Sequence, residues 1–189
     1  MSEDSDQTIW RRVVAGEDAR AYGLIWDRHH TRVLRHLVRS GQTAHDADDL
    51  TAMAFLEAWR RRSAVRFVDG SLLPWLIVTA RNVARNAVRA QRRYSRLLET
   101  LPAASPGPDP LVVVQDEDSV EHILRLAVDG ARPVDGDLMA MTALEGFTVQ
   151  EAAAALGMSE TAAKSRLHRF RSKLRTVLST DPLIEGGAR

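Results

Sequence analysis

The sequence predicts an all-α protein of two small helical domains joined by a flexible, proline-rich linker, with a helix-turn-helix motif in the C-terminal domain. Three observations support this fold class. Apolar residues return at intervals of three and four along most of the chain, which is the spacing of one face of a helix. Four prolines fall within residues 101–110, where a continuous helix cannot form. Two short helical patterns near the C-terminus are separated by a single tight turn. The predicted segments are a first domain over 1–98, a linker over 99–118, a second domain over 119–180 and a tail over 181–189.

Charge is strongly segregated along the chain, although the formal net charge is only +1 over 189 residues. Residues 81–96 hold six arginines and no acid, whereas residues 109–137 hold eight acids and two arginines. Separate basic surfaces of this kind indicate contacts with an anionic partner at more than one place. The chain has no cysteine, which excludes disulfides and thiolate zinc sites. The acidic N-terminus does not resemble a signal peptide, and no apolar run could span a bilayer, so we expect a cytoplasmic location and no membrane contact.

The first part of the chain predicts two helices between Ile9 and Ser40, with a break at Gly16–Asp18. His29, His30 and His36 fall among arginines on the faces that the apolar residues leave free. We expect these histidines to lie on the surface. Adjacent residues diverge on a helix, and no further ligand stands at a suitable spacing, so no metal site is expected.

A further helix is predicted over Asp46–Arg62, because aspartates gather at its start and arginines at its end, as the helix dipole favours. Its apolar residues do not keep to one side. Leu50, Met53 and Ala54 project one way, and Ala52, Phe55 and Trp59 project roughly the opposite way. Such a helix is either buried within its domain or shared between its own core and a partner protein, and the sequence leaves both possibilities open.

A loop with turn-forming residues follows at Phe67–Ser71, and Pro74 then begins another helix at a position where its missing amide costs nothing. One side of this helix is apolar. The other side is rich in Arg, Asn and Gln, whose side chains suit phosphate oxygens and base edges.

The helix-turn-helix motif is predicted from its capping residues. Thr148 and Glu151 form a capping box, Gly157 suits a left-handed helix end, and Ser159 suits the start of the second helix. One stripe of the second helix is apolar: Ala163, Leu167, Phe170 and Leu174. No carboxylate occurs over 161–175, and the remaining sides are basic. Because like charges one turn apart repel, this arrangement indicates a polyanionic partner such as DNA.

Three passages, taken in order, resemble the extracytoplasmic-function group of bacterial sigma factors. They are Asp48-Asp49-Leu50 through Trp59-Arg60, Pro74-Trp75-Leu76 through Arg81-Asn82, and Thr148 through Arg169. In two places the chain departs from the usual pattern of the group: Ala52-Met53 replaces a common Gln-Glu pair, and the segment 132–137 replaces a more polar one.

The resemblance implies an alternative sigma factor that directs RNA polymerase to specific promoters. The implied partners are the polymerase core, through the coiled coil of its largest subunit and its flap, and promoter DNA. An anti-sigma factor is also expected, because members of the group are commonly held inactive by one. No cofactor and no small-molecule substrate are expected.

The resemblance also assigns roles to residues. The residues implied to bind polymerase are Asp48, Asp49, Leu50, Met53, Phe55, Leu56 and Trp59. The residues implied to bind the minus-10 element, partly through a pocket for a flipped base, are Phe67, Asp69, Ser71, Asn82, Arg85, Asn86 and Arg89. In the minus-35 element the implied base-edge contacts are Lys164, Ser165, His168 and Arg169, and the implied phosphate contacts are Arg166, Arg171 and Lys173.

Two other classes of function are weaker alternatives. A two-domain transcription regulator would bind duplex DNA by itself, without polymerase. Almost nothing in the sequence supports an enzymatic activity. It has no Ser-His-Asp ordering, no phosphate-binding glycine loop and no carboxylate pair in an apolar setting.

Overall fold

The computed structural model describes residues 4–16, 19–99 and 132–180, and these are helical with short connections. The helices are α1 (Asp6–Ala15), α2 (Ala19–Arg39), α3 (Ala44–Arg60), α4 (Leu73–Glu99), α5 (Pro133–Met139), α6 (Val149–Leu156) and α7 (Glu160–Thr180). The predicted linker, the amphipathic segment that begins near Ser119 and the tail over 181–189 lie outside the described residues. No described helix combines the length and the apolar character needed to cross a bilayer.

The four N-terminal helices pack around one apolar core. α2 contacts α1, α3 and α4, and α3 also contacts α4. Ile25, Phe55, Leu72 and Ile77 are among the fully buried side chains of this core. α1 ends at Gly16, which adopts the left-handed conformation that glycine tolerates best. α3 begins two residues earlier than predicted, because the Thr43 hydroxyl accepts a hydrogen bond from the Asp46 amide and caps the helix.

The helix-turn-helix prediction is confirmed in its local detail. The Thr148 hydroxyl accepts from the Glu151 amide at 3.1 Å, and the Glu151 carboxylate accepts from the Thr148 amide at 2.6 Å. Gly157 ends α6 at φ 69°, and the Ser159 hydroxyl accepts from the Ala162 amide at the start of α7. These contacts cap the end of α6 and the start of α7 with residues that are neighbours in the sequence.

The segment before the helix-turn-helix differs from its predicted form. We predicted one helix over Leu138–Leu144. Instead, α5 begins at Pro133 and passes at Ala140 into a π-helical turn that ends at Leu144. Proline at the first position of α5 needs no amide partner there, so the helix can begin earlier than the apolar pattern suggested. The wider turn brings Glu145 towards the N-terminal helices.

The described C-terminal part packs directly against the N-terminal part. α4 contacts α6, and the buried apolar residues of both parts form one continuous cluster. Polar contacts join them as well. The Arg39 guanidinium donates to the Leu144 carbonyl at 2.7 Å, and the Arg66 guanidinium lies against Gly157.

Candidate nucleic-acid and polymerase-binding surfaces

The exposed side of α7 carries the four residues predicted to contact base edges. Lys164, Ser165, His168 and Arg169 together line one depression on this side. On the opposite side of the helix, Ala163 and Leu167 are buried, with exposed fractions of 0% and 3%. Packing of the apolar stripe thus orients all four polar side chains towards solvent.

The three predicted phosphate contacts do not share one environment. Arg171 and Lys173 are exposed. Arg166 is partly buried, and its Nη1 lies 2.8 Å from the Asp135 carboxylate on α5. Arg166 therefore ties α7 to α5 within the C-terminal part. Its charge is partly neutralised there, which the sequence alone did not indicate.

The residues of α3 divide into a buried set and an exposed set. Leu50 and Phe55 are buried, whereas Met53, Leu56 and Trp59 are 51%, 47% and 43% exposed. The predicted grouping of Met53 with Leu50 is therefore wrong, because the core side of α3 also takes Ala47, Thr51 and Ala58 and leaves Met53 outside. We call Met53, Leu56 and Trp59 the α3 ridge. Asp48 and Asp49 are exposed at the start of the same helix.

Trp59 is held in place although it is exposed. Its ring meets the Tyr22 ring edge to face, with centroids 5.3 Å apart, and the Arg62 guanidinium lies 5.1 Å from its ring centroid. These contacts restrict the rotamers of Trp59. An exposed but ordered tryptophan loses little conformational entropy when a partner covers it.

The residues predicted to bind the minus-10 element lie along α4 and the loop before it. Asn82, Asn86 and Arg89 are exposed on α4, and Arg85 is partly buried. The loop is a tight turn in which Val68 and Ser71 exchange backbone hydrogen bonds. Asp69 adopts φ 50°, an uncommon conformation for a residue other than glycine.

A groove beside this loop includes residues of α1 that the sequence did not single out. Phe67 lines it together with Gln7, Trp10, Arg11 and Val14. The Trp10 ring is buried and its Nε1 donates to the Arg62 carbonyl at 2.8 Å, so the floor of the groove is fixed. Only the three-dimensional packing of α1 on the loop could reveal this groove.

A buried carboxylate, Asp6, holds the loop against α1 and α2. Asp6 Oδ2 accepts from the Leu72 amide at 2.7 Å and lies 2.6 Å from His29 Nε2, and Oδ1 accepts from Arg28 at 2.8 Å. Burial would raise the pKa of Asp6, but the hydrogen bonds from His29, Leu72 and Arg28 outweigh burial and hold that pKa well below its usual range. The surface position predicted for His29 is wrong. Its side chain is buried against Asp6, which is 23 residues away in the sequence.

Two family models match the chain, one in each part. The model of sigma-70 region 2 matches residues 25–94, and the model of sigma-70 region 4 matches residues 133–174. The first match covers the α3 ridge and α4 as far as Tyr94, and the second covers α5, α6 and α7 as far as Leu174.

Relatives match over most of the chain. The RNA polymerase sigma factor CarQ of Myxococcus xanthus is 32% identical over 162 residues, which are 84% of this chain and 89% of that one. The chain belongs to the extracytoplasmic-function group of sigma-70 factors. The sigma factor CnrH of Cupriavidus metallidurans is 29% identical and covers 95% of this chain and 97% of its own. SigM of Mycobacterium tuberculosis is 28% identical, with 93% and 86% covered. As a member of this group, the protein is a transcription initiation factor that directs RNA polymerase to promoters.

Solved structures support the helical fold of this sigma factor. CnrH in complex with the cytosolic domain of CnrY matches with a TM-score of 0.59 and 22% identity, covering 94% of this chain and 99% of that one. RpoE of Bartonella quintana in complex with NepR matches with a TM-score of 0.55 and 20% identity, covering 86% and 99%.

In this sigma factor, two arginines of α4 bind a carboxylate of the C-terminal part. Arg81 Nε lies 2.6 Å from Asp137 Oδ1, and the Arg85 guanidinium binds both oxygens of Asp137 at 2.6 Å and 3.0 Å. Arg81 and Asp137 are almost fully buried. Arg85 also donates to the Asn82 side chain at 2.6 Å. Two of the predicted minus-10 residues are thus already engaged within the protein.

A second buried pair, His36 and Glu145, joins α2 to the C-terminal part. His36 Nδ1 lies 2.9 Å from Glu145 Oε1, and His36 Nε2 is buried without a partner among the described residues. Burial lowers the pKa of His36, and the hydrogen bond to Glu145 only partly opposes this. Burial would raise the pKa of Glu145, but His36 and the guanidinium groups of Arg32 and Arg39 lower it. A neutral His36 that donates from Nδ1 fits both directions. The predicted surface position of His36 is wrong: its ring is buried, and its Nδ1 donates a hydrogen bond to Glu145, which is 109 residues away in the sequence.

We expect Asp6→Asn to lower the free energy of unfolding by about 3 kcal/mol, because Arg28 and His29 would then lack their buried anion. Urea denaturation measures this change. Asp4→Asn is the matched control. Asp4 is exposed, and its ion pair with Arg12 is long, at 4.0 Å. Equal stability losses in both variants would contradict the role assigned to Asp6.

We expect the protein to lose stability as the pH falls below 6.5, the ordinary value for histidine. Below that pH the unfolded chain protonates His36 while the folded protein keeps it neutral, and this costs up to about 1.4 kcal/mol per pH unit. Glu145 acts at lower pH, since its contribution is lost only as the pH falls through its lowered pKa. Urea denaturation between about pH 7.5 and pH 5.5 should show a shallower slope in His36→Asn than in the wild type. Identical slopes would refute this assignment.

Proposed function

We propose that the exposed side of α7 reads the bases of the minus-35 element, with Lys164, Ser165, His168 and Arg169 as the contacting residues. One observation carries this proposal: all four lie together on the side of α7 that faces away from its buried stripe. A helix placed in this way can enter the major groove, where Arg and Lys bind guanine and where Ser can donate or accept. Arg171 and Lys173 then lie where phosphate contacts are needed.

The N-terminal part, in this proposal, binds the melted minus-10 element. Asn82, Asn86 and Arg89 offer planar hydrogen-bonding groups along α4, and the loop before α4 presents Phe67 at the edge of an apolar groove. An unstacked base could enter that groove against an aromatic side chain, and such stacking is worth roughly 1–3 kcal/mol per base. Asp69 and Ser71 hold the turn beside it. Asp6 would then act indirectly, by fixing the loop.

The α3 ridge is the proposed contact with the polymerase core. Three large apolar side chains exposed on one helix are unusual for a surface that stays in water, and Asp48 and Asp49 add polar groups at one end. Leu50 and Phe55 contribute through the core that supports the ridge. Ala52-Met53 stands where a Gln-Glu pair is common, and this puts Met53 in the α3 ridge. The flexible side chain of methionine can adapt to the surface of a partner protein.

An anti-sigma factor is proposed as a further partner, and the protein is proposed to act in the cytoplasm. The solved structures of CnrH and RpoE each contain a second protein, CnrY and NepR respectively. Since this chain has no cysteine, any thiol-based sensing would have to take place in the partner.

Run-off transcription from a promoter library tests the function most directly. Core polymerase supplemented with this protein should initiate from a subset of promoters that share minus-35 and minus-10 sequences. Core polymerase alone should not. A protein that binds specific duplexes tightly without polymerase, and does not redirect initiation, would instead be a two-domain regulator.

We expect Arg169→Ala to relax base preference at one position of the minus-35 element, because a bidentate contact discriminates by roughly 1–3 kcal/mol. Arg171→Ala is the matched comparison. It should weaken binding to all sequences and reduce the salt-dependence slope by about one unit. Selection of bound sequences and salt titrations separate these effects. An unchanged preference in Arg169→Ala would show that α7 does not read bases as proposed.

We expect Trp59→Ala to weaken binding to core polymerase by more than about 1 kcal/mol and to lower the free energy of unfolding by less than Phe55→Ala does, since the ring is partly exposed. Phe55→Ala should instead lower the free energy of unfolding by about 3–5 kcal/mol, because it empties a buried site. Binding titrations with labelled core and urea denaturation distinguish the two. Full core affinity in Trp59→Ala would exclude the α3 ridge from the polymerase interface.

A further inference from the structure

One face of α1 is open to solvent beside the loop that precedes α4. Gln7, Arg11 and Val14 follow one another at spacings of four and three, so they lie on the same face of the helix. All three are exposed. The opposite face packs into the core through Ile9 and Val13, which are 2% and 3% exposed. Burial of that opposite face therefore sets the direction in which Gln7 and Arg11 point.

Hydrogen bonds hold this part of α1 against the loop. The Gln7 backbone amide donates to the Gly70 carbonyl at 3.3 Å. Asp6, the residue before it, accepts from the Leu72 amide at 2.7 Å. Because both bonds fix the backbone at the start of α1, the Gln7 side chain reaches the same groove as Phe67.

The groove between α1 and the loop combines apolar surface with polar groups that have no partner. Its volume is about 320 Å³, which lies within the range of sites that hold small ligands. Trp10, Val14 and Phe67 provide the apolar surface. Within the described part of the chain, neither the Gln7 side-chain amide nor the Arg11 guanidinium makes a hydrogen bond or ion pair. Both groups are thus available to a ligand.

This combination of groups fits a nucleotide whose base has left the stack. The ring of Phe67 can stack on any base. The amide of Gln7 offers one donor and one acceptor side by side, which match the acceptor N7 and the amino group N6 of adenine. Arg11 has only donors and a permanent positive charge, which suit a phosphate.

We propose that Gln7 selects adenine as the base that enters this groove, and that Arg11 binds the phosphate beside it. This inference rests on the proposed minus-10 role of the loop and α4. The match to sigma-70 region 2 begins only at residue 25, so a role of α1 in promoter choice does not follow from membership of the family. In this chain α1 is a specificity-determining element for one promoter position.

The neighbouring surface favours a nucleotide over a segment of a partner protein. The loop connects the groove directly to α4, where Asn82, Asn86 and Arg89 are exposed as the proposed strand contacts. An apolar side chain of a partner would fill the groove but would cover Gln7 and Arg11 without pairing them, and unpaired burial of polar groups is unfavourable. A nucleotide supplies a partner for both.

The test uses promoters in which each minus-10 position carries each of the four bases, transcribed by core polymerase with the full chain. With the wild type, adenine should be preferred about tenfold at one position. Gln7→Ala should reduce this preference to within about twofold and keep the preferences at the other positions. Gln42→Ala is the matched control, because Gln42 lies between α2 and α3 and does not line the groove. It should behave as the wild type.

Gln7→Glu produces a change that a folding defect cannot imitate. A carboxylate accepts hydrogen bonds but does not donate them, so it suits the N4 amino group of cytosine. The preferred base at the same position should therefore change from adenine to cytosine. A poorly folded variant would lower transcription from all promoters without changing the preferred base.

Arg11→Ala should weaken binding of the polymerase complex to a melted promoter fragment equally for all four bases. The slope of log affinity against log salt should fall by about 0.7, the value for one phosphate of a single strand. Arg12→Ala is the matched control. It removes the same charge from the same helix, but Arg12 lies beside Asp4 and does not line the groove.

Unchanged base preference in both Gln7→Ala and Gln7→Glu would overturn the inference. Equal losses of slope in Arg11→Ala and Arg12→Ala would overturn it as well, since the effect would then be one of net charge. Failure of the proposed function looks different. A wild type that cannot redirect core polymerase to any promoter would refute the function and this inference together, whereas redirected initiation with unchanged preferences in the Gln7 variants would refute the inference alone.

Discussion

The contact of Asp137 with Arg81 and Arg85 is the interaction on which the arrangement of the two parts depends. It buries charges that would cost several kcal/mol if unpaired, so removal of any one of the three groups would destabilise the interface. The apolar cluster that continues from one part into the other adds stabilisation without direction. The ion pairs supply the direction, because a carboxylate can bind a pair of guanidinium groups in few orientations.

Each surface proposed to bind a partner is positioned by burial of the opposite side of its helix. On α7 the buried Ala163 and Leu167 orient the basic side chains, and on α3 the buried Phe55 orients the ridge. Asp6 has the same positioning role for the loop before α4, which has no apolar stripe of its own. There, a buried carboxylate replaces packing as the positioning force. Function at the surface therefore depends on interactions within the core.

The sequence was sufficient where structure is decided locally. The capping box of Thr148 and Glu151 and the left-handed Gly157 involve neighbours in the chain, so their pattern predicted them correctly. Partners distant in sequence were not predictable. His29 and His36 are buried because Asp6 and Glu145 reach them from 23 and 109 residues away, and no periodicity carries that information.

The two-sided apolar pattern of α3 was ambiguous for a related reason. A helix that contacts both α2 and α4 buries a wide sector, and only the position of those neighbours decides that Phe55 is inside while Met53 and Trp59 are outside. The sequence likewise predicted two basic surfaces on α4 and α7. It could not show that Asp137 would cover part of one of them, since a charge run does not reveal its partner.

The central claim is that α4 and α7 contact the same promoter once polymerase is bound. Iron chelates attached to single cysteines, introduced at Gln91 on α4 or at Ser172 on α7, generate radicals that cut nearby DNA in the polymerase complex. The account predicts that the α4 probe cuts near the minus-10 element and the α7 probe near the minus-35 element of one promoter. Cutting by both probes at a single place, or by only one of them, would contradict it.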